Sequence, residues 1–168
     1  EVYNDFRANS NRSGTTPALD WMNYPDVVPV IVERMRGVIV ERRPAVAVMA
    51  AHDGADTLHF VDPPYLPETR NRANPYDPKH QYRHELTVAD HQELLAFLQT
   101  LQGMVLLCGY PSELYDAALP HWLRVEREAL ADGARRRTEV MWINPACAAR
   151  LSAEGRGAHQ LDMLEAAE

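Results

Sequence analysis

Lysine is almost missing from this chain of 168 residues: Lys79 is the only one, and the other 16 of its 17 basic residues are arginines. With 24 acidic residues the formal net charge is −7, which excludes a protein coated in basic surface. Any contact with nucleic acid has to come from local patches instead of the global field. The arginine bias suits guanidinium–phosphate recognition, and a skewed base composition in the gene explains it equally well. Cysteine is scarce too. Cys108 and Cys147 are the whole complement, too few for a disulfide framework, so reduced thiols in a cytoplasmic protein are expected. No apolar run approaches the roughly 20 residues that span a bilayer. The acidic, polar start, Glu1 to Asp5, does not read as a secretory leader. No internal repeat is visible, and the length suits one domain.

What is present is an alternation of helical and strand-like patterns. Glu1 to Asp5 reads as the end of a strand closing on a carboxylate, and Phe6 to Asp20 as a polar loop. Asn23 is placed to cap a helix with Pro25 in its first turn and Gly37 at its end. Val38-Ile39-Val40 is β-branched and reads as a short strand, and Pro44 to Ala51 as a helix. Asp53-Gly54 then turns the chain into an apolar run, Thr57 to Val61. Thr87 and Asp90 resemble a capping box opening a helix that reaches Leu101. Met104 to Cys108 reads as a strand buried on both faces, followed by a short helix capped by Ser112. Trp122 to Glu126 and Thr138 to Ile143 flank Asp132-Gly133 and form a predicted hairpin. Such alternation implies a parallel sheet covered by helices. The expected organisation is one domain over residues 1–152 with a polar tail over 153–168.

The run that ends at Val61 stops on Asp62-Pro63-Pro64-Tyr65. Two prolines forbid both strand and helix. A stiff turn at the carboxyl end of a buried strand is where open α/β sheets put their ligands. A carboxylate with an aromatic ring beside it suits a flat molecule bearing an amino group. A turn whose aspartate caps something local is the other reading of the same four residues. The stretch from Leu66 to Leu86 lacks periodicity, and loops of that length inside compact domains are usually functional or mobile. His80 and His84 have a spacing that chelates metal on a helix, but no helical pattern surrounds them, and no metal is expected.

Asp62-Pro63-Pro64-Tyr65-Leu66-Pro67-Glu68-Thr69-Arg70 is followed in order by Tyr82-Arg83-His84-Glu85-Leu86. Val105-Leu106-Leu107-Cys108-Gly109-Tyr110 comes next, and then Thr138-Glu139-Val140-Met141-Trp142-Ile143-Asn144-Pro145. This succession resembles the DNA adenine N6-methyltransferases, in particular their phage- and prophage-type Dam-like branch, over about Phe6 to Asn144. The resemblance implies an α/β, Rossmann-like sheet with helices on both faces and a C-terminal antiparallel hairpin. It implies an enzyme that flips an adenine out of double-stranded DNA and methylates its N6 amine from S-adenosylmethionine. Asp62, Pro63, Pro64 and Tyr65 would be catalytic. Asp62 and the Pro63 carbonyl would accept hydrogen bonds from the amine, and Tyr65 would stack on the base.

By the same resemblance Asp5 would hold the cofactor ribose, with Asp62, Arg43 and Pro44 also near the cofactor. Arg7, Asn9, Asn11 and Arg12, in the loop over residues 6–20, would contact the target strand. Arg70, Arg72, Lys79 and Arg83 would approach the DNA backbone. The family's first strand and its glycine-containing cofactor loop belong before Glu1, and a longer segment belongs between Asp5 and Phe6. The expectation is therefore a fragment, or ordered pieces joined. Transfer to another amine, cytosine N4 or a protein glutamine, is the neighbouring reading. An inactive DNA-binding or structural remnant is the reading of a different class.

Overall fold

The computed structural model describes residues 17–70, 82–131 and 135–153. The chain divides into two compact units, Glu1–Arg42 and Arg43–Glu168. The junction between Asp5 and Phe6, the Asp132-Gly133 turn and the tail from 154 onward lie outside the described residues.

In the first unit helix α1 spans Pro17–Met35. The expected start at Asn23 is wrong: Asn23, Pro25 and Pro29 all lie inside this helix. The first proline of the described helix is Pro17, where the missing N–H costs nothing, and the two internal prolines each remove a helical hydrogen bond. The helix stops where expected. Gly37 takes φ +79°, a left-handed conformation that glycine adopts without strain, and Val38 N–H donates to the Met35 carbonyl at 3.0 Å. Val38-Ile39-Val40, expected as a strand, is irregular, and Val40 is 84% exposed. A β-branched run becomes a strand only when a neighbour pairs with it, and no described strand does.

The second unit is a mixed four-stranded α/β structure. Helix α2 (Ala45–His52) leads to β1 (Leu58–Val61), α3 (Pro67–Arg70), α4 (Val88–Leu98) and β2 (Met104–Gly109). Helix α5 (Glu113–Ala118), the hairpin of β3 (Leu123–Ala131) and β4 (Arg135–Ile143), and α6 (Pro145–Ala153) follow. The strand order is β1-β2-β4-β3. β1 and β2 run parallel with Val61 beside Leu107, while β4 is antiparallel to both β2 and β3. The expected hairpin is therefore present, with strands longer than the sequence suggested.

Strand side chains alternate between faces, and the two faces of this sheet differ. Val61, Val105, Leu107, Val140 and Trp142 share one face and join Met49 of α2, Leu94, Leu95 and Leu98 of α4 and Tyr115 of α5 in a single buried core. On the opposite face Leu58 is 52% and Phe60 62% exposed, and Met104, Leu106 and Cys108 are half-buried. The expectation that β2 is buried on both faces is thus met on one. Cys108 and Cys147 are both free thiols.

Local polar locks hold the elements in place. Thr87 and Asp90 form the expected capping box of α4: Asp90 N–H donates to Thr87 Oγ1 at 3.2 Å and Thr87 N–H to Asp90 Oδ2 at 2.8 Å. Ser112 occupies the N-cap of α5 without a side-chain hydrogen bond to it. Asp53 ties the entrances of β1 and β2. It accepts from Gln102 N–H at 2.8 Å, from Gly103 N–H at 3.0 Å and lies 3.2 Å from His59 Nε2. The Gln102 bond, with those of Gly103 and His59, outweighs desolvation and holds the Asp53 carboxyl below its usual range. Buried Asn144 ties β2 to α6. Its Oδ1 accepts from Val105 N–H and Cys147 N–H, each at 2.9 Å, and its Nδ2 donates to the Gly103 carbonyl at 2.9 Å.

Candidate active site at the carboxyl ends of the parallel strands

β1 and β2 end side by side, so the residues that follow them converge. Val61 is level with Leu107, and the next step places Asp62 beside Cys108. Asp62, Pro63, Pro64 and Tyr65 line a cavity of about 480 Å³, together with Arg70, Tyr82 and Tyr110. That volume falls within the range of small-molecule pockets. All four catalytic residues expected from the sequence are therefore on one wall. The prolines keep the turn from continuing either regular element, and Leu66 beneath it is buried. Asp62 itself is exposed.

Tyr82, Tyr110 and the Arg70 guanidinium complete the lining. The Tyr65 and Tyr110 rings stand 4.7 Å apart at 79°, an edge-to-face arrangement favoured by the ring quadrupoles. Tyr65 Oη–H donates to Glu139 Oε2 at 3.3 Å. Arg137 lies over the Tyr110 ring, 5.2 Å from its centroid, and its Nη1 donates to the Thr69 carbonyl at 3.5 Å. Arg70, at the end of α3, pairs with Glu85 at 2.6 Å and lies 4.8 Å from the Tyr82 ring centroid.

The electrostatics hold the Tyr65 and Tyr110 phenols protonated. Burial, then the charges of Glu139 and Asp62, push the Tyr65 hydroxyl well above its ordinary value. Burial and Glu139 raise Tyr110 as well, against the opposing charge of Arg137. The Cys108 thiol is raised by burial and by Asp62 and Glu139. Burial pushes the Glu85 carboxyl up, but the Arg70 hydrogen bond and charge and the Tyr82 N–H outweigh it, leaving Glu85 below its usual value. The cavity thus offers neutral aromatic rings and one exposed carboxylate, a combination suited to a flat ring carrying a hydrogen-bond donor.

Of the other residues singled out in the sequence, Arg83 is exposed and follows Tyr82 without lining the cavity. Arg43 and Pro44 precede α2 and are absent from the cavity lining. Asp5, Arg7, Asn9, Asn11, Arg12, Arg72 and Lys79 lie outside the described residues. The described residues hold no cluster of three or more His, Cys, Asp or Glu side chains able to bind a metal. They also contain no helix long and apolar enough to cross a membrane. Four neighbours of the site were not anticipated: Tyr82, Tyr110, Arg137 and Glu139. Tyr110 had a readable signal, since it follows an apolar strand as Asp62 does. Glu139 had another, since it alternates with Val140 and Trp142, whose side chains fill the core. Protein-family models, curated proteins and solved structures contain no match to this chain.

Proposed function

We propose that the chain acts as an S-adenosylmethionine-dependent DNA adenine N6-methyltransferase, with the cavity at the end of β1 as its base-binding site. The observation that supports this reading best is the Asp62-Pro63-Pro64-Tyr65 turn opening, at the carboxyl end of β1, onto a cavity walled by Tyr65, Tyr82 and Tyr110. A nucleobase cannot reach such a cavity from within a duplex, so the target adenine is flipped out of the stack. Its ring lies among the tyrosine rings, where stacking of a base on an aromatic side chain contributes about 1–3 kcal/mol. The Asp62 carboxylate and the Pro63 carbonyl accept hydrogen bonds from the exocyclic amine. That pulls N6 toward a tetrahedral geometry and frees its lone pair from the ring.

S-adenosylmethionine supplies an electrophilic methyl group on a sulfonium and leaves as a neutral thioether. The exposed carboxylate of Asp62 and the aromatic rings beside it suit a nearby positive charge, so the described part of the site fits that donor. By the family resemblance Asp5 would hold its ribose. As the N–C bond forms, one amine proton passes to Asp62 and on to water, which reaches the exposed side chain. Catalysis in this scheme is positioning and electrostatics. The mixed sheet, with its parallel β1 and β2 and its antiparallel hairpin, is compatible with the Rossmann-like arrangement such enzymes use.

The direct test is to incubate the full chain with duplex DNA and isotopically methyl-labelled S-adenosylmethionine, then digest the DNA to nucleosides for mass spectrometry. Labelled N6-methyladenine supports the reading. Label confined to N4-methylcytosine moves the reaction to the other base, and no label in DNA removes the reading.

A further inference from the structure

Strand β4 does two jobs on its two faces. Val140 and Trp142 are buried in the core, so Glu139 projects to the other side by strand alternation. Gly109 is paired with Val140, which brings Glu139 level with Tyr110, one residue beyond β2. From there Glu139 reaches Tyr65, 74 residues earlier in the chain, and accepts its hydroxyl hydrogen bond at 3.3 Å. Arg137, two residues along the same face, covers Tyr110 and meets the Thr69 carbonyl of α3. Glu139 does not line the cavity, so its influence on a bound ring passes through Tyr65.

We propose that Glu139 is a positioning residue for Tyr65, fixing where the ring stands against which a flat heteroaromatic base is held. The inference rests on the base-flipping reading above and goes further, because it assigns the aim of the site to the hairpin. A phenol free to swing about its Cα–Cβ bond stands against the base only part of the time. A carboxylate holding the hydroxyl confines the ring beside Tyr110. Burial raises the Tyr65 hydroxyl above its ordinary value, and the charge of the carboxylate adds to that. At 3.3 Å the bond is longer than the roughly 2.5–3.0 Å usual between oxygens, so its loss corresponds to that of an ordinary hydrogen bond, about a fivefold effect.

The test is a double-mutant cycle on the full chain, with kcat read on duplex DNA carrying adenine at the target position under saturating S-adenosylmethionine. Flipping is read by fluorescence on a second duplex with 2-aminopurine there. Glu139→Ala and Tyr65→Phe each remove the same hydrogen bond from opposite ends. Each is expected to lower kcat by about fivefold and to weaken the 2-aminopurine signal. The double variant is expected to lose no more than either single, about fivefold and not about 25-fold. Glu139→Gln, whose amide oxygen accepts the same bond, is expected to recover most of kcat. Tyr65→Phe leaves β4 untouched, so the proposal stands or falls even where Glu139→Ala fails to fold. Additive losses, wild-type kcat in Tyr65→Phe, or a Gln variant as impaired as Ala would overturn the positioning role while leaving the methyltransferase reading intact. Wild-type protein that neither flips nor methylates the base would remove both.

Discussion

Tyr65 and Tyr110 stand almost perpendicular, 4.7 Å between centroids, although they follow different strands. The pairing depends on ring geometry and not on the Tyr110 hydroxyl. Edge-to-face pairs contribute about 0.5–1.5 kcal/mol beyond their burial. Tyr110→Ala is therefore expected to lower kcat/KM for duplex DNA by up to about tenfold, and Tyr110→Phe to stay near wild type. Steady-state methylation kinetics check both.

Asp62→Asn preserves the shape of the side chain but replaces one acceptor oxygen with a donor. Facing an amine that also donates, the variant is expected to lose about a hundredfold or more in kcat. If Asp62 acts on the amine as proposed, DNA affinity is expected to change little in fluorescence anisotropy. Near-normal methylation by this variant would contradict the role given to Asp62.

Asn144 satisfies Val105 N–H, Cys147 N–H and the Gly103 carbonyl from a buried position. Asn144→Ala leaves those backbone groups without that partner and is expected to cost about 3 kcal/mol, the upper part of the range for a buried unsatisfied group. Urea denaturation would register this as a lower midpoint with an unchanged slope.

Gly103 passes so close to the neighbouring turn that an added Cβ would lie 2.7 Å from the Thr57 carbonyl oxygen and 3.0 Å from that of Gly54. Both are backbone atoms that cannot swing aside. Gly103→Ala is expected to destabilise by about 1–3 kcal/mol, as overpacking does. A thermal midpoint equal to wild type would mean that the two strand entrances can part without cost.

His91 is fully buried on α4, with Nδ1 2.8 Å from the Tyr115 hydroxyl and Nε2 without a partner among the described residues. Burial lowers its pKa below the ordinary 6.5, against the raising influence of Asp90 and Glu85 and with that of Arg70. The unfolded chain therefore takes up a proton at a pH where the folded chain stays neutral. Its contribution is present above about pH 6.5 and is lost as pH falls below that value, by at most about 1.4 kcal/mol per pH unit. His91→Gln is expected to flatten that part of the stability–pH curve, measured by denaturation between pH 7.5 and 5.5.

The sequence made legible those features whose signals are local. The Thr87–Asp90 box, the Gly37 stop, the run ending at Asp62 and the existence of the hairpin all depend on neighbouring residues. Val38-Ile39-Val40 misled because strand formation is decided by pairing, which three β-branched residues do not reveal. Pro25 misled because a proline that opens one helix can sit inside another. Tyr82, Tyr110, Arg137 and Glu139 were not assigned to the site because what brings them together is strand order and register. Asp53 read as half of a turn, and its bonds to Gln102 and Gly103 became visible only once β1 and β2 lay side by side.

The alternation along β4 makes the strand a ruler with two scales. One residue inserted or deleted between Glu139 and Trp142 would put both on one face, turning either the carboxylate into the apolar interior or the indole toward the tyrosines. Displacement by two would keep the interior intact yet move Glu139 a full pleat, about 7 Å, away from Tyr65. Genetic change in this strand therefore has two separable outcomes. Odd displacements abolish the fold, and even ones leave a folded protein whose site is out of alignment.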